Sequence, residues 1–195
     1  FLISAKWSTL FALAFVSAAV MWYGFPLFGK LIEQTAYLVP QSAQKKLGDY
    51  AVEMIGEHFT PCEDDEARKY VQIIVDDLVS HQDNKELKPE IHLFKTTTAN
   101  AFALPGQNMG VLSGFLARAK NEEEIAGVLA HEIGHIAKKD ALKYIIRSEG
   151  FKAIASMGST NVYGDIASTA ATFSTLQYSR DQESAADLYA QSLLN

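Results

Sequence analysis

A run of 22 residues without a charged side chain, Trp7 to Phe28, most constrains how this chain can fold. A helix rises about 1.5 Å per residue, so about 20 apolar residues cross the roughly 30 Å hydrocarbon core of a bilayer. Trp7 at one end, and Trp22 with Tyr23 at the other, are aromatic residues of the kind that favour the headgroup layer. The run therefore predicts a transmembrane helix, or signal anchor, at residues 7–28 that contacts membrane lipid.

Two other interpretations of this run remain open, a buried core helix and a cleaved signal peptide flanked by Lys6. The run is longer than the apolar part of a typical signal peptide, and no small-x-small cleavage motif precedes a polar segment. Membrane anchoring by a single span is therefore favoured. The few lysines near the span do not fix its orientation, and we expect the rest of the chain on the extracytoplasmic (periplasmic) side.

Composition places one folded domain after the span. The chain has 195 residues, 48% hydrophobic and 21% charged, which fits a folded domain plus an apolar extra. Its formal net charge of -6 comes without a basic patch, so nucleic acid is not an expected partner. We predict a linker at residues 29–41 and the folded domain at residues 42–195. Cys62, the single cysteine, has no partner within the chain for a disulfide or a thiolate metal site.

Helical patterns occupy most of this domain. Ser42 is a candidate cap for a helix over residues 42–59, and a second helix is predicted to follow the acidic residues 63–66. Two longer helices are predicted at residues 122–148 and 163–194.

Extended patterns are confined to the middle of the domain. Three segments there carry alternating or β-branched side chains, with a turn signal at Pro105 and Gly106; they are residues 90–98, 100–106 and 108–114. The sequence therefore predicts an α+β fold that is mainly α-helical, with a small sheet of about three strands and the N-terminal transmembrane helix.

The predicted helix that starts near residue 122 carries the segment HEIGH at residues 131–135. Asn121 can cap this helix, with Glu124 three residues on. His131 and His135 stand four residues apart, so both imidazoles project from one face and can reach one tetrahedral metal ion. Glu132 lies beside the first histidine, where a carboxylate can accept a proton from an attacking water. A pattern this short also occurs by chance in unrelated helices.

A third metal ligand makes the motif more specific. Glu183 lies on a predicted helix about 50 residues downstream, and Asp187 follows it by one helical turn. A carboxylate at Asp187 can accept a hydrogen bond from the second ring nitrogen of a ligand histidine. A solvated helix face would explain both acidic residues equally simply. The small residues Ala185 and Ala186 between them favour a closely packed helix instead.

Three segments of the chain resemble the HtpX, CAAX prenyl endopeptidase and BepA-like family of zinc metallopeptidases. They are NAFALPGQNMGVLSG at residues 100–114, NEEEIAGVLAHEIGHIAKKD at residues 121–140, and SRDQESAAD at residues 179–187. The resemblance implies a zincin-like fold of the gluzincin type with one zinc ion. The zinc ligands that it implies are His131, His135 and Glu183. It further implies that Glu132 is the general base and that Asp187 orients a ligand histidine.

The resemblance also implies where a substrate binds. The residues concerned are Asn100, Ala101, Phe102 and Ala103. In the family this segment is an edge strand, onto which an extended protein or peptide substrate adds through main-chain hydrogen bonds. Such binding implies an endopeptidase with broad side-chain tolerance.

Two features depart from the family pattern. Asp140 stands where similar members often carry a histidine, and the sequence assigns it no role. The family usually continues beyond the helix of Glu183, whereas this chain ends at Asn195, so a C-terminal part of the domain can be missing. The transition-state oxyanion needs a donor besides the metal. Candidates by proximity in the sequence are Tyr178, Arg180 and Tyr189.

The sequence therefore predicts a membrane-tethered zinc metalloendopeptidase, with protein quality control as its expected setting. The alternative is a non-catalytic tethered chaperone or scaffold with a structural zinc, although a structural site has no need of Glu132. An intramembrane protease would require several spans, and the sequence shows one. The physiological substrate and the oligomeric state are not predicted.

Overall fold

The computed structural model describes residues 14–18, 20, 31, 33–80, 82, 85–149 and 177–195. Among these residues no helix has both the length and the apolar character that a bilayer span requires. Most of the predicted span at residues 7–28 lies outside the described part, and the tether therefore stays a prediction. Residues 163–176, the first half of the last predicted helix, also lie outside it.

The first two helices agree with the sequence in extent. Helix α1 (Gln41–His58) follows a short 3-10 helix (Thr35–Leu38), and helix α2 (Asp65–Ser80) follows the acidic turn. Asp64 caps α2 by accepting a hydrogen bond from the Ala67 N–H at 2.9 Å. The prediction that Ser42 caps α1 is wrong, because the helix already begins at Gln41, with Pro40 at the cap position. Proline suits a helix entrance since its φ is fixed near the helical value.

The sheet has four strands rather than about three. Strands β1 (Thr60–Pro61), β2 (Glu90–Lys95), β3 (Ala101–Ala103) and β4 (Asn108–Leu112) lie in the order β1-β2-β4-β3. The pair β2–β4 is parallel, and both outer strands pair antiparallel. The additional strand, β1, has two residues that the sequence indicated as the end of a helix. It is too short to show alternation, and Pro61 is tolerated there because β1 lies at an edge.

Period-two alternation divides the core into two clusters, one on each face of the sheet. In β2, Ile91 and Leu93 belong to one cluster and Phe94 to the other. In β3, Ala101 and Ala103 face the first cluster, whereas the Phe102 ring is buried in the second. Helix α1 packs on the second face, and α2 packs on the first. The sheet is thus covered on both faces, which fixes its edge strand β3 relative to the helices.

The predicted long helix at residues 122–148 is two helices. After a single turn, α3 (Ser113–Leu116), the chain forms α4 (Glu122–Ala137) and α5 (Asp140–Glu149). They are separated at Lys139, whose φ of 57° is left-handed. This conformation is typical of glycine or asparagine at a helix end, and neither residue marks the break in the sequence. The last described helix, α6 (Arg180–Leu194), packs against α4.

Gly134 permits the close approach of α4 and α6. A β-carbon at this position would lie 2.8 Å from both the Cα and the carbonyl oxygen of Ala186 on α6. Backbone atoms cannot move aside for it, so a larger residue would push the two helices apart. Gly134 lies between His131 and His135 on α4, and Ala186 lies between Glu183 and Asp187 on α6. The small residues at the interface therefore determine how near the candidate ligands can come.

Candidate metal centre

Helix α4 presents its two histidines to α6 because its apolar face is packed into the core. Asn121 caps the helix as predicted, and its side chain accepts a hydrogen bond from the Glu124 N–H at 2.9 Å. Leu129 and Ile133 are fully buried in the first core cluster. With that face fixed, the histidines one turn apart point along the remaining side of the helix.

Three hydrogen-bond acceptors converge where α4 meets α6. The Nε2 atoms of His131 and His135 are 3.1 Å apart. An oxygen of Glu183 lies 3.3 Å from Nε2 of His131, and its other oxygen lies 3.8 Å from Nε2 of His135. These three residues form a group that could hold a metal ion, with one ligand atom of each within 4.8 Å of the others. The structure thus brings Glu183, which lies on a later helix, to the two histidines of α4.

The second ring nitrogen of each histidine faces a carboxylate. Nδ1 of His131 is 2.9 Å from Oδ1 of Asp187, and Nδ1 of His135 is 2.9 Å from Oδ2 of Asp140. An ionised carboxylate only accepts hydrogen bonds, so each Nδ1 must carry the proton. Both Nε2 atoms then present lone pairs, and two lone pairs cannot hydrogen-bond each other. A cation between them satisfies all three acceptors.

Zinc fits this donor set. With ligand bonds of about 2.0–2.2 Å and tetrahedral angles, neighbouring donor atoms lie about 3.3 Å apart. The spacings of 3.1, 3.3 and 3.8 Å around His131, His135 and Glu183 lie close to that value. Two imidazoles and one carboxylate are also a donor set of catalytic zinc sites, which keep the fourth position open.

Asp140 belongs to this site, although the sequence assigned it no role. Burial by itself would raise its pKa, but hydrogen bonds from His135, Gln182 and Lys143 outweigh burial and hold the pKa below its usual value. The carboxylate is therefore charged. Helical periodicity could not reveal the contact, because Asp140 lies five residues after His135 and beyond the break at Lys139. One feature of the sequence drew attention to Asp140, because similar family members often carry a histidine at this position.

Glu132 lies between the paired histidines and the edge strand β3. Its Oε2 accepts a hydrogen bond from the Ala103 N–H at 2.8 Å, and the residue is only 9% exposed. Burial raises the pKa of Glu132 to about 7, while nearby His135 and the hydrogen bond from Ala103 oppose the shift. A carboxylate with a pKa near neutrality is suited to accept and return a proton.

Of the three candidate oxyanion donors, the structure places Tyr178 against the site. Its ring stacks on the His135 ring, with centroids 4.1 Å apart and an interplanar angle of 28°. Burial, reinforced by the charge of Glu132, raises the pKa of the Tyr178 hydroxyl, so it keeps its proton and can donate it in a hydrogen bond. Arg180 is exposed, and the ring of Tyr189 lies under the ammonium of Lys138, 5.7 Å from its centroid.

The edge strand β3 offers main-chain groups beside Glu132. The antiparallel register with β4 makes hydrogen-bonded pairs of Asn100 with Leu112 and of Leu104 with Asn108. In such a ladder bonded and non-bonded pairs alternate, so the N–H and C=O groups of Ala101 and Ala103 point away from β4. Asn100 itself precedes β3, which begins at Ala101, and Phe102 is turned into the core.

Comparison with known proteins identifies the sequence pattern as that of a peptidase family. The family model described as Peptidase family M48 matches residues 65–195, about two thirds of the chain. The match includes α2, the four-residue turn α3, the three strands β2 to β4, and both helices that carry the candidate ligands.

Three curated relatives are similar over parts of their length. Mitochondrial metalloendopeptidase OMA1 of Schizosaccharomyces pombe is 29% identical over 129 residues, which is 65% of this chain and 38% of the relative. Metalloprotease YcaL of Escherichia coli is 36% identical over 112 residues, 52% of this chain and 42% of the relative. The beta-barrel assembly-enhancing protease of Escherichia coli is 28% identical over 96 residues, 49% of this chain and 20% of the relative. The chain thus spans less than half the length of each.

Proposed function

Because the chain belongs to peptidase family M48, we propose that it is a zinc-dependent metalloendopeptidase that hydrolyses peptide bonds of protein substrates. The observation that carries this proposal is the convergence of His131, His135 and Glu183 beside the buried carboxylate of Glu132. A structural zinc site would need the ligands but no buried carboxylate next to them. The arrangement therefore supports catalysis over a purely structural metal.

His131, His135 and Glu183 would hold the zinc ion. When bound, zinc supplies Lewis-acid chemistry that polarises the scissile carbonyl and makes a water molecule nucleophilic near neutral pH. Glu132 takes a proton from the attacking water and passes it to the leaving amine. The Ala103 N–H holds Oε2 of Glu132, so we assign the proton transfer to Oε1. No covalent bond forms between this chain and the substrate.

The substrate adds to β3 as an extended strand in this proposal. Two carbonyl groups, those of Ala101 and Ala103, point away from β4 and can accept hydrogen bonds from the substrate main chain. The Ala103 N–H is engaged by Glu132, which leaves the Ala101 N–H as the matching donor. Main-chain pairing of this kind binds many sequences, as an endopeptidase with broad tolerance requires.

Alternating N-methylation of a peptide substrate tests this mode of binding. Methylation at two positions two residues apart is expected to lower kcat/KM, because it removes the N–H groups that donate to Ala101 and Ala103. Each lost hydrogen bond costs about 0.5–1.5 kcal/mol, or up to about tenfold. Methylation at the position between them, outside the scissile bond, is the matched control and should have little effect. An equal loss at all three positions would contradict strand addition.

We also propose that residues 7–28 tether the domain to a membrane, with its active site on the extracytoplasmic side and protein quality control as its setting. The uncharged run supports the tether. The names of two relatives, a mitochondrial metalloendopeptidase and a beta-barrel assembly-enhancing protease, are compatible with work at or near a membrane. Retention of the chain in membranes after an alkaline carbonate wash checks the tether.

Metal analysis combined with a protease assay tests the proposed activity. The purified chain is expected to contain one zinc ion per chain and to digest casein. Chelation should stop digestion, and zinc addition should restore it, because the ion that His131, His135 and Glu183 would hold supplies the Lewis-acid chemistry. Zinc without digestion, together with suppressed aggregation of a denatured client, would favour the non-catalytic chaperone. Absence of stoichiometric zinc would remove the proposal.

A further inference from the structure

We propose that Asp140 is a positioning residue that holds the His135 ring and links it to the helix of Glu183, so that two zinc ligands are fixed together before the metal binds. This inference rests on the proposed zinc site and concerns how that site is built. The observations that carry it are the burial of the carboxylate and its hydrogen bonds to side chains on three helices.

The first link joins Asp140 to His135. Oδ2 of Asp140 lies 2.9 Å from Nδ1 of His135, and each side chain is only 1% exposed. Because the buried carboxylate of Asp140 can only accept a hydrogen bond, the imidazole carries its proton on Nδ1. The lone pair on Nε2 then points toward the metal position. Tyr178 stacks on the same ring. The ring is therefore held by a hydrogen bond at its edge and by an aromatic contact on its face.

The second link joins Asp140 to α6. Its other oxygen, Oδ1, accepts hydrogen bonds from Nζ of Lys143 at 3.0 Å and from Nε2 of Gln182 at 3.1 Å. Gln182 is also the N3 residue of the capping box that starts α6, since its Oε1 accepts from the N–H of Ser179 at 3.1 Å. Glu183 is the next residue. One carboxylate thus connects the second histidine ligand with the first turn of the helix that carries the third ligand.

Asp187 makes the equivalent contact to His131, but this contact is exposed to solvent. It lies 2.9 Å from Nδ1 of His131, and its side chain is 68% exposed. Solvent screens this pair and competes for its hydrogen bond, whereas the Asp140 pair is shielded. We therefore expect Asp140 to contribute more to zinc affinity than Asp187 does.

Zinc affinity of the full chain, measured by competition with a chromogenic chelator, tests the inference. Asp140→Asn is expected to weaken zinc binding about 10–100-fold, the loss typical when the partner of a ligand histidine is changed, because a neutral amide can also donate and no longer fixes the proton on Nδ1 of His135. Asp187→Asn should weaken it less. Asp49→Asn, which changes an exposed carboxylate paired with Lys45, is the matched control and should leave the affinity unchanged. Equal affinity of Asp140→Asn and wild type would overturn the inference while leaving the proposed function in place.

A second variant separates positioning from general stability. Gln182→Met removes the link from Asp140 to α6, together with the capping hydrogen bond from the Ser179 N–H, but leaves the Asp140–His135 bond, and we expect an intermediate loss of zinc affinity. In the double variant the losses should be less than additive, because both changes break one connection. The absorption spectrum of the cobalt-substituted proteins reports ligand geometry, which a merely structural role would not alter.

If Asp140→Asn does not fold, unchanged zinc affinity and an unchanged cobalt spectrum in Gln182→Met overturn the inference. If wild type binds no zinc, the proposed function fails as well.

Discussion

Replacing Glu132 by glutamine is expected to stop peptide hydrolysis while the fold and the bound zinc are kept. Glutamine fills the same space and can still accept the hydrogen bond from the Ala103 N–H, but it cannot take a proton from water. A general base contributes about 10²–10⁴-fold to rate, and the loss should be at least of that order. The measurement is the initial rate of casein digestion, with zinc content determined on the same preparation.

The fold is expected to tolerate this substitution well. Burial raises the pKa of Glu132 from 4.5 to about 7, so folding of the metal-free protein disfavours the charged form. At pH values above 4.5 the charged carboxylate therefore lowers stability, and neutral glutamine removes that cost. Glu123→Gln, an exposed change on the same helix, is the matched control and should keep full activity. Undiminished digestion by Glu132→Gln would remove the assignment of the base.

Replacing Glu183 by glutamine is expected to remove zinc and activity together. Its carboxylate would be the charged ligand beside two imidazoles, and it lies 3.3 Å from Nε2 of His131. A neutral amide oxygen is a far weaker ligand for a dication, and the two imidazoles are left as a two-ligand site. Zinc affinity should fall by more than the roughly 10–100-fold that is typical of losing a partner of a ligand histidine. Equilibrium dialysis against buffered zinc measures it.

The first turn of the same helix provides the control for this experiment. Asp181→Asn removes one exposed negative charge two residues before Glu183, without touching a candidate ligand. It should leave both zinc affinity and digestion near the wild-type values. If Glu183→Gln and Asp181→Asn lose the same small amount of affinity, the third ligand must be sought elsewhere in the chain.

The sequence predicted those parts of the site that depend on local spacing. The capped helix with His131 and His135 one turn apart follows from helical periodicity. The same holds for the alternating strands and for the spacing of Glu183 and Asp187 along one helix. The resemblance to a zinc metallopeptidase family, stated from three segments, is confirmed by the family match over residues 65–195. The ligand roles and the tether at residues 7–28 stay predictions.

The break between α4 and α5 could not be predicted from local spacing. Lys139 adopts a left-handed conformation that lysine does not favour, and no glycine or asparagine marks the position. Strand β1 is defined by its pairing with β2, since two residues carry no period. The pairing that defines β1 joins segments that are distant in the sequence.

By itself, the sequence determined which chemical groups are present and on which side of each helix or strand they lie, because side-chain direction follows the backbone period. Only the tertiary structure decided that Glu183 reaches the two histidines and that Glu132 lies against the edge strand. It also decided that Asp140 hydrogen-bonds to the His135 ring. These contacts span 29 residues between Ala103 and Glu132, and 42 between Asp140 and Gln182. They depend on the close packing of α4 and α6 at Gly134; the small residues Ala185 and Ala186 indicated a closely packed helix but not its partner.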